Sequence, residues 1–211
     1  MAHIVITSGP TRQYLDPVRY LTNASSGRMG AALASAAIKL GHRVTIVSGP
    51  VQVTYPKQAT VLRVLTTQEM LEAAKQTFQK ADGLIGAAAP CDYQPRQVHS
   101  QKLSKTGQPL TLELIETPDI VATLASAKRP DQWFVGFALE TEDRRFRATV
   151  KLQKKSCDLM VSNGPTAIDS NENSVEVIDR DGQVIATIDG SKVRVANGIL
   201  RIVQARLIDA D

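Results

Sequence analysis

Short apolar runs recur along this chain, each closed by small residues, glycine or proline, and most lead into a stretch with helical spacing. His3–Ser8 reads as a strand and stops at Ser8-Gly9-Pro10. A long excursion from Gly9 to about Asn23 leads to Ser25-Ser26-Gly27-Arg28-Met29-Gly30, which opens a helix to about Leu40, with Gly41 as its stop. Arg43–Ser48 is the next apolar run and ends in Ser48-Gly49-Pro50. Strand, helix and strand within roughly 45 residues make a βαβ unit, which places the strands parallel in one sheet.

The alternation continues. Thr60–Leu65 reads as a strand, and Thr66 with Glu69 forms a capping box for a helix to about Lys80. Gly83–Ala88 is a fully apolar strand. The polar stretch Asp92–Pro109 is too long for a plain connection and suits a functional flap, at about 92–110. Thr111–Glu116 alternates as a strand does, and Thr117-Pro118 supplies an N-cap followed by a proline at the first helical position. Trp133–Ala138 is another strand, Glu142–Lys155 a surface helix and Leu159–Ser162 a short strand. Ser174–Ile188 reads as a hairpin turning at Asp181-Gly182, and Ser191–Ile208 as a last helix. The expected fold class is α/β: a Rossmann-like, doubly wound, mostly parallel sheet with a C-terminal β-hairpin and helix, forming one domain over residues 1–211. Ligands in such sheets lie beyond the carboxyl ends of the strands, so chemistry is expected just after Ser8, Ala88, Glu116 and Ala138.

Composition narrows the function only a little. The net charge of +4 suits anionic small molecules and nucleic acid alike. Two cysteines, Cys91 and Cys157, are too few for a disulfide scaffold in a chain of 211 residues, so a reducing, cytoplasmic setting is expected. The N-terminus lacks the pattern of a signal peptide, and no apolar run approaches the ~18 residues of a membrane span. The histidines, His3, His42 and His99, are scattered, and no metal-ligand cluster, Walker A lysine or Gly-x-Ser-x-Gly elbow is present.

Several segments carry chemical potential with a plainer alternative beside it. Glycines at the start of the 25–30 helix let backbone N–H groups approach phosphate oxygens, or they merely permit tight helix–sheet packing. As a dinucleotide fingerprint this turn is half complete, because strand two ends in Ser48-Gly49-Pro50 where an NAD site wants an acidic residue. In Asp16–Asn23, Arg19 offers a planar fork of donors for an anion and Asn23 a donor for an oxyanion, or Asn23 simply caps the helix. Gly86–Ala89 allows a ring or a phosphate close to the backbone, or close packing. Cys91 fits a small buried residue better than a nucleophile. Lys102 and Lys105 in the flap are either solvated or able to close over a triphosphate. Lys151 and Lys155 share a helix face, where a solvated surface is the default.

Together these segments resemble phosphopantothenoylcysteine synthetase of coenzyme A biosynthesis, in its bacterial form. The matching stretches are Thr7–Arg12, Asp16–Gly30, Gly86–Tyr93, Lys102–Lys105, Pro118–Val121, Val135–Thr141 and Lys151–Asn163, in the family's order. The resemblance implies a Rossmann-like domain, a homodimer, and a ligase that joins 4'-phosphopantothenate to cysteine with CTP and Mg²⁺ through an acyl-cytidylate. It implies catalytic roles for Asn23, Lys102 and Arg19, with Arg19, Asn23 and Ala89 at the acid substrate. It implies nucleotide contacts from Gly86, Ala87, Ala88, Asp92 and Lys102, from Pro118, Asp119, Ile120, Val121 and Phe137, and from Lys151 and Lys155. The turn Ser25, Ser26, Gly27, Met29 and Gly30 joins them. No protein metal ligand, FMN site, nucleic acid or membrane is expected.

Two departures stand out. Ser104 replaces a lysine of the family's usual Lys-Ile-Lys-Lys flap, which removes one positive charge, and Pro90-Cys91 departs from the usual Ala-Val-Ala run. Many bacterial members carry a flavin-dependent decarboxylase domain in front, so a free-standing synthetase or an excised domain is expected. The alternative activity is an NAD(P)-dependent oxidoreductase on the same fold.

Overall fold

A computed structural model describes residues 1–140, 142–164 and 172–209. Thr141, the end of one matching stretch, lies outside them. Eight strands form one sheet in the order β12-β11-β10-β9-β6-β1-β4-β5. Six of them are parallel: β1 (His3–Ser8), β4 (Arg43–Ser48), β5 (Thr60–Arg63), β6 (Gly83–Gly86), β9 (Trp133–Leu139) and β10 (Leu159–Asn163). Counted in chain order the six run 3-2-1-4-5-6, the Rossmann order, with its topological switch between β1 and β6. The antiparallel hairpin β11 (Glu172–Asp179) and β12 (Val184–Ser191) extends the sheet beyond β10. It turns through Asp181 and Gly182, as its sequence suggested, with Gly182 at φ 77°.

The central strands β4, β1, β6, β9 and β10 are buried on both faces, which is why they read as apolar runs, while the edge strands β5 and β12 are partly exposed. On β1, Ile4 and Ile6 pack toward α1 (Arg28–Lys39) and α5 (Lys192–Val203), while Val5 packs toward α2 (Thr67–Phe78), α3 (Ile120–Ala125) and α4 (Arg144–Lys154). Helix α5 shows the helical period directly: Val195, Ala196, Ile199, Leu200 and Val203 are all buried on one face. It continues as a π-helical turn over Gln204–Ile208. The Thr66–Glu69 capping box opens α2 as expected: Thr66 Oγ1 accepts from Glu69 N at 3.1 Å.

Several boundaries and one assignment differ from the sequence reading. The excursion after β1 holds a small hairpin, β2 (Arg12–Tyr14) with β3 (Tyr20–Thr22), clasped by a T-shaped Tyr14–Tyr20 pair and by Arg12 over the Tyr20 ring at 4.3 Å. Strand β6 ends at Gly86, because Ala89 N turns to Gly9 O instead. Of Thr111–Glu116 only Leu114–Glu116 is strand. It is β8, which pairs with β7 (Tyr93–Pro95) in a separate exposed ribbon, so Glu116 does not end a strand of the main sheet. Thr117 does not cap α3, because its hydroxyl is engaged at 2.7 Å by Cys91 O; Asp119 caps it, accepting from Ala122 N at 3.0 Å.

Candidate active site

A cavity of about 700 Å³ opens at the carboxyl edge of the parallel strands, across the β1–β6 switch. The turn into α1 forms one wall: Asn23, Ser25, Ser26, Gly27, Met29 and Gly30 all line it. Gly27 is the N-cap at φ 74°, a conformation only glycine adopts without strain, and it brings no side chain to cap the first turn. The N–H groups of that turn are therefore left for a ligand. Gly30 has a packing role as well, since a Cβ there would lie 2.5 Å from Ser8 Cβ. The packing reading of these glycines therefore holds at Gly30.

The floor is the small-residue run. Gly86, Ala87, Ala88 and Ala89 line the cavity, and the run is stitched to the exit of β1 by Ala88 N to Thr7 Oγ1 (3.4 Å) and Ala89 N to Gly9 O (2.9 Å). A side chain at Gly86 would meet Val121 at 2.8 Å, so only glycine lets α3 sit this close. Asn23 crosses from the first wall: its amide donates to Pro90 O at 2.8 Å and Ala89 O at 3.5 Å. It is thus a bridge and not the helix cap that was the plainer alternative. Cys91 is buried and its carbonyl serves Thr67 and Thr117, which fits a structural residue.

The third wall carries the charge. Asp92 comes from the β7 approach, Pro118 and Asp119 from the lead-in to α3, Ile120 and Val121 from α3 itself, Phe137 from β9, Lys151 from α4 and Lys155 from its C-cap. Lys155 pairs with Asp119 at 3.0 Å and Lys151 with the buried Glu140 at 2.6 Å. Burial pushes the Asp119 carboxyl up, but the Ala122 amide and the Lys155 ammonium outweigh it and hold Asp119 below the usual carboxylate range. Both lysines line the cavity and are paired with carboxylates, Lys155 largely covered and Lys151 still 44% exposed.

Arg19 and Lys102 do not line the cavity. The Arg19 guanidinium donates to Asp16 Oδ2 through Nε at 2.9 Å and to Leu103 O at 2.7 Å. Leu103 N also donates to Asp16 Oδ2, at 3.2 Å. Asp16 is fully buried, and its bond to Arg19 holds its carboxyl far below the usual carboxylate range. Arg19 and Asp16 therefore hold the backbone of Leu103, the residue next to Lys102, at the root of the flap. Sequence reasoning missed Asn163, Asn173 and Lys192, which line the cavity beyond Phe137 and Leu139. Asn163 ends β10, so the carboxyl-end rule could have found it. Asn173 and Lys192 sit on an antiparallel hairpin and the following helix, with no motif to mark them.

Fold and site together define a Rossmann-type α/β protein with a cavity at its switch point, and β4 ends there without the acidic residue of a dinucleotide site. The chain belongs to the family described as the DNA/pantothenate metabolism flavoprotein C-terminal domain, whose sequence profile matches residues 1–207. The coenzyme A biosynthesis bifunctional protein CoaBC of Vibrio parahaemolyticus is 40% identical over 195 residues, covering 90% of this chain and 49% of that protein. Its namesake in Bacillus subtilis is 40% identical over 208 residues, covering 96% and 51%. The chain thus spans about half the length of these relatives. A crystal structure of the C-terminal domain of a CoaBC protein superposes with a TM-score of 0.83 at 37% identity, over 99% of this chain and 97% of that one. The DNA/pantothenate metabolism flavoprotein from Streptococcus pneumoniae shares the fold, at a TM-score of 0.87 and 23% identity over 97% of this chain and 99% of that one.

Proposed function

We propose that this chain joins 4'-phosphopantothenate to L-cysteine with CTP, through an acyl-cytidylate, and forms phosphopantothenoylcysteine. The observation that carries the reading is the single cavity in which an uncapped helix start, a small-residue floor and two carboxylate-paired lysines converge. The names of relatives at 37–40% identity place coenzyme A biosynthesis beside it.

The chemistry follows from the difficulty of the reaction. A carboxylate is a poor electrophile. Its oxygen attacks the α-phosphorus of CTP, the bond to the β-phosphate oxygen breaks, and pyrophosphate leaves. The cysteine amine then attacks the acyl carbon, loses a proton, and CMP departs. The first-turn N–H groups of α1 face the phosphates, and Lys151 and Lys155 exchange their carboxylates for phosphate oxygens as the nucleotide enters. The flap swings about the Asp16–Arg19–Leu103 anchor, carries Lys102 over the site and excludes water from the acyl-cytidylate. Asn23 and Ala89 face the acid substrate. A magnesium ion fits as a companion of the triphosphate and not as a resident: no cluster of three metal-ligating side chains occurs among the described residues, while Asp92 and Asp119 give the one or two carboxylates such an ion takes beside phosphates. When bound it neutralises phosphate charge.

A homodimer and a cytoplasmic setting belong to the same reading. The β7–β8 ribbon and the flap expose Tyr93, Val98, Leu110, Leu114 and Ile115, an apolar arm that a second copy would cover. Both cysteines are free, and no helix among the described residues is long and apolar enough to cross a membrane.

The test is pyrophosphate release with CTP and ATP side by side, with and without 4'-phosphopantothenate. Acid-dependent release with CTP supports the reading, and release with neither nucleotide ends it. Lys102→Gln should slow activation by ~10²–10³, the typical worth of one placed donor to developing charge. A near-normal rate would remove Lys102 from that role.

A further inference from the structure

The carboxyl end of β4 has no part in the chemistry above. In a dinucleotide site that strand end carries the acidic residue that holds the ribose. Here it carries Ser48, in register with Ser8 of β1, and both side chains are fully buried. Tyr55, also buried, joins them. Its hydroxyl donates to Ser8 Oγ at 2.9 Å, and Ser8 donates in turn to Gly27 O at 3.3 Å. Ser48 Oγ lies 2.9 Å from Tyr55 Oη. The one proton of Tyr55 goes to Ser8, so Ser48 is the donor of that pair, its proton shared with Gly49 O at 2.8 Å. Ser48, Tyr55, Ser8 and Gly27 O thus form one directed chain, whose members polarise one another. The stretch after β4 also packs against the start of α1: a Cβ at Gly27 would lie 2.9 Å from Val51 Cγ1 and 3.2 Å from Val53 Cγ1.

We propose that Tyr55, with Ser48 behind it, is a positioning residue for the nucleotide: through Ser8 it fixes the Gly27–Arg28 peptide and so aims the Arg28 N–H at a phosphate. The proposal rests on the nucleotide-activating reading above and deepens it. Gly27 O accepts Ala31 N at 3.1 Å, the first bond of α1, and the Ser8 hydroxyl beside it. The peptide is planar and trans, so a carbonyl held toward Ser8 and Ala31 turns the Arg28 N–H the opposite way, out of the helix start. No side chain caps that turn, and Arg28 lines the cavity. Gly27, at φ 74°, has no Cβ to restrict its torsions, so the relay supplies the restraint that a larger residue would bring itself. A donor aimed before the ligand arrives gives up less freedom on binding. The strand end that would hold a ribose in a dinucleotide site here braces a phosphate donor.

The test is calorimetric titration of the full chain, Tyr55→Phe, Ser48→Ala and the double variant with CTP and inorganic pyrophosphate, with amide NMR of Arg28 followed during the pyrophosphate titration. Tyr55→Phe keeps the ring in the core and removes one oxygen. It should weaken CTP and pyrophosphate by roughly 3- to 10-fold, part of the worth of one hydrogen bond to a charged group. In wild type the Arg28 N–H should move downfield as pyrophosphate binds, and in Tyr55→Phe that displacement should shrink. Ser48→Ala should show the same pattern at smaller size, and it decides the matter if Tyr55→Phe does not fold. The double variant should lose no more than Tyr55→Phe, because both changes break one chain. An Arg28 N–H that wild-type binding leaves unmoved, unchanged affinities in Tyr55→Phe, or additive losses overturn the proposal while the ligase reading stands. Weaker binding with an undiminished Arg28 displacement also overturns it, since the loss would then come from a loosened core. Wild-type protein that binds neither CTP nor pyrophosphate removes the ligase reading and the proposal together.

Discussion

Replacing Gly30 by alanine tests the link between core packing and the cavity-lining turn into α1. The new Cβ would lie 2.5 Å from Ser8 Cβ and 3.4 Å from Ser8 Cα, and nearer still to Ser8 Oγ. Ser8 cannot step aside. It is fully buried, its hydroxyl donates to Gly27 O at 3.3 Å, and it accepts from the Tyr55 hydroxyl at 2.9 Å. Relief therefore requires α1 to lift from β1 by roughly 1 Å, and overpacking of this kind costs about 1–3 kcal/mol. The lift also moves the first turn of α1, where a misplacement of about 1 Å can cost ~10² in rate. Urea denaturation of Gly30→Ala, Ser8→Gly and the double variant forms the assay. Ser8→Gly removes both clashing atoms, so the double variant should be more stable than the sum of the single losses implies, with a coupling of about 1–2 kcal/mol. Pyrophosphate release should recover in parallel. Additive losses, or a Gly30→Ala protein within about 0.5 kcal/mol of wild type, would refute the close-approach argument.

Three further outcomes follow from the same geometry. Asp16→Asn should free the flap root, read as faster proteolysis near Leu103; unchanged cleavage would deny the anchor. Because the Asp16 carboxyl is depressed by Arg19, its contribution is present above the unfolded carboxylate range near ~3.9 and is lost only as pH falls through the lower folded value, so wild-type flap protection should survive at pH 4. Burial pushes the Cys157 thiol up to about 11 from 9.0, so the unfolded chain releases that proton first as pH rises. Wild type should lose about 2–3 kcal/mol between pH 9 and 11 relative to Cys157→Ala; parallel stability curves would contradict this. Asp119→Ala should cost about 1 kcal/mol of thermal stability through loss of the α3 cap, whereas Asp119→Asn should cost much less, because asparagine caps as well. Equal losses would show that the ion pair to Lys155, and not the cap, matters there.

What could be read from sequence was what local interactions decide. The Thr66–Glu69 box, the Gly27–Gly30 turn and the apolar runs that became β1, β4 and β9 each state their structure within a few residues. The failures arose where distant groups compete. Thr117 and Asp119 could each have capped α3, and the Cys91 carbonyl, 26 residues back, decided between them by taking the threonine hydroxyl. The alternation in Thr111–Glu116 is real, but β8 is exposed along its length and pairs only with β7. The β2–β3 hairpin is held by Arg12, Tyr14 and Tyr20, none of which signals a strand alone.

Arg19 shows how such competition bears on function. Its sequence context suggested a direct anion contact, yet the structure places Leu103, 84 residues away, on its guanidinium. Its charge is paired with the buried Asp16, and breaking such a pair by removing one partner is costly because the other is left uncompensated. The flap is thereby tied to the chain that leads into Asn23 and the glycine turn. Lys102 can move only as far as the tether at Leu103 allows. In the proposed reaction, a lysine confined in this way would lose less freedom on closing than one on a free loop, so more of its interaction with phosphate would remain as stabilisation of developing charge. Arg19 and Lys102 lie off the cavity, and the anchor at Leu103 is the link by which the proposed function draws on them.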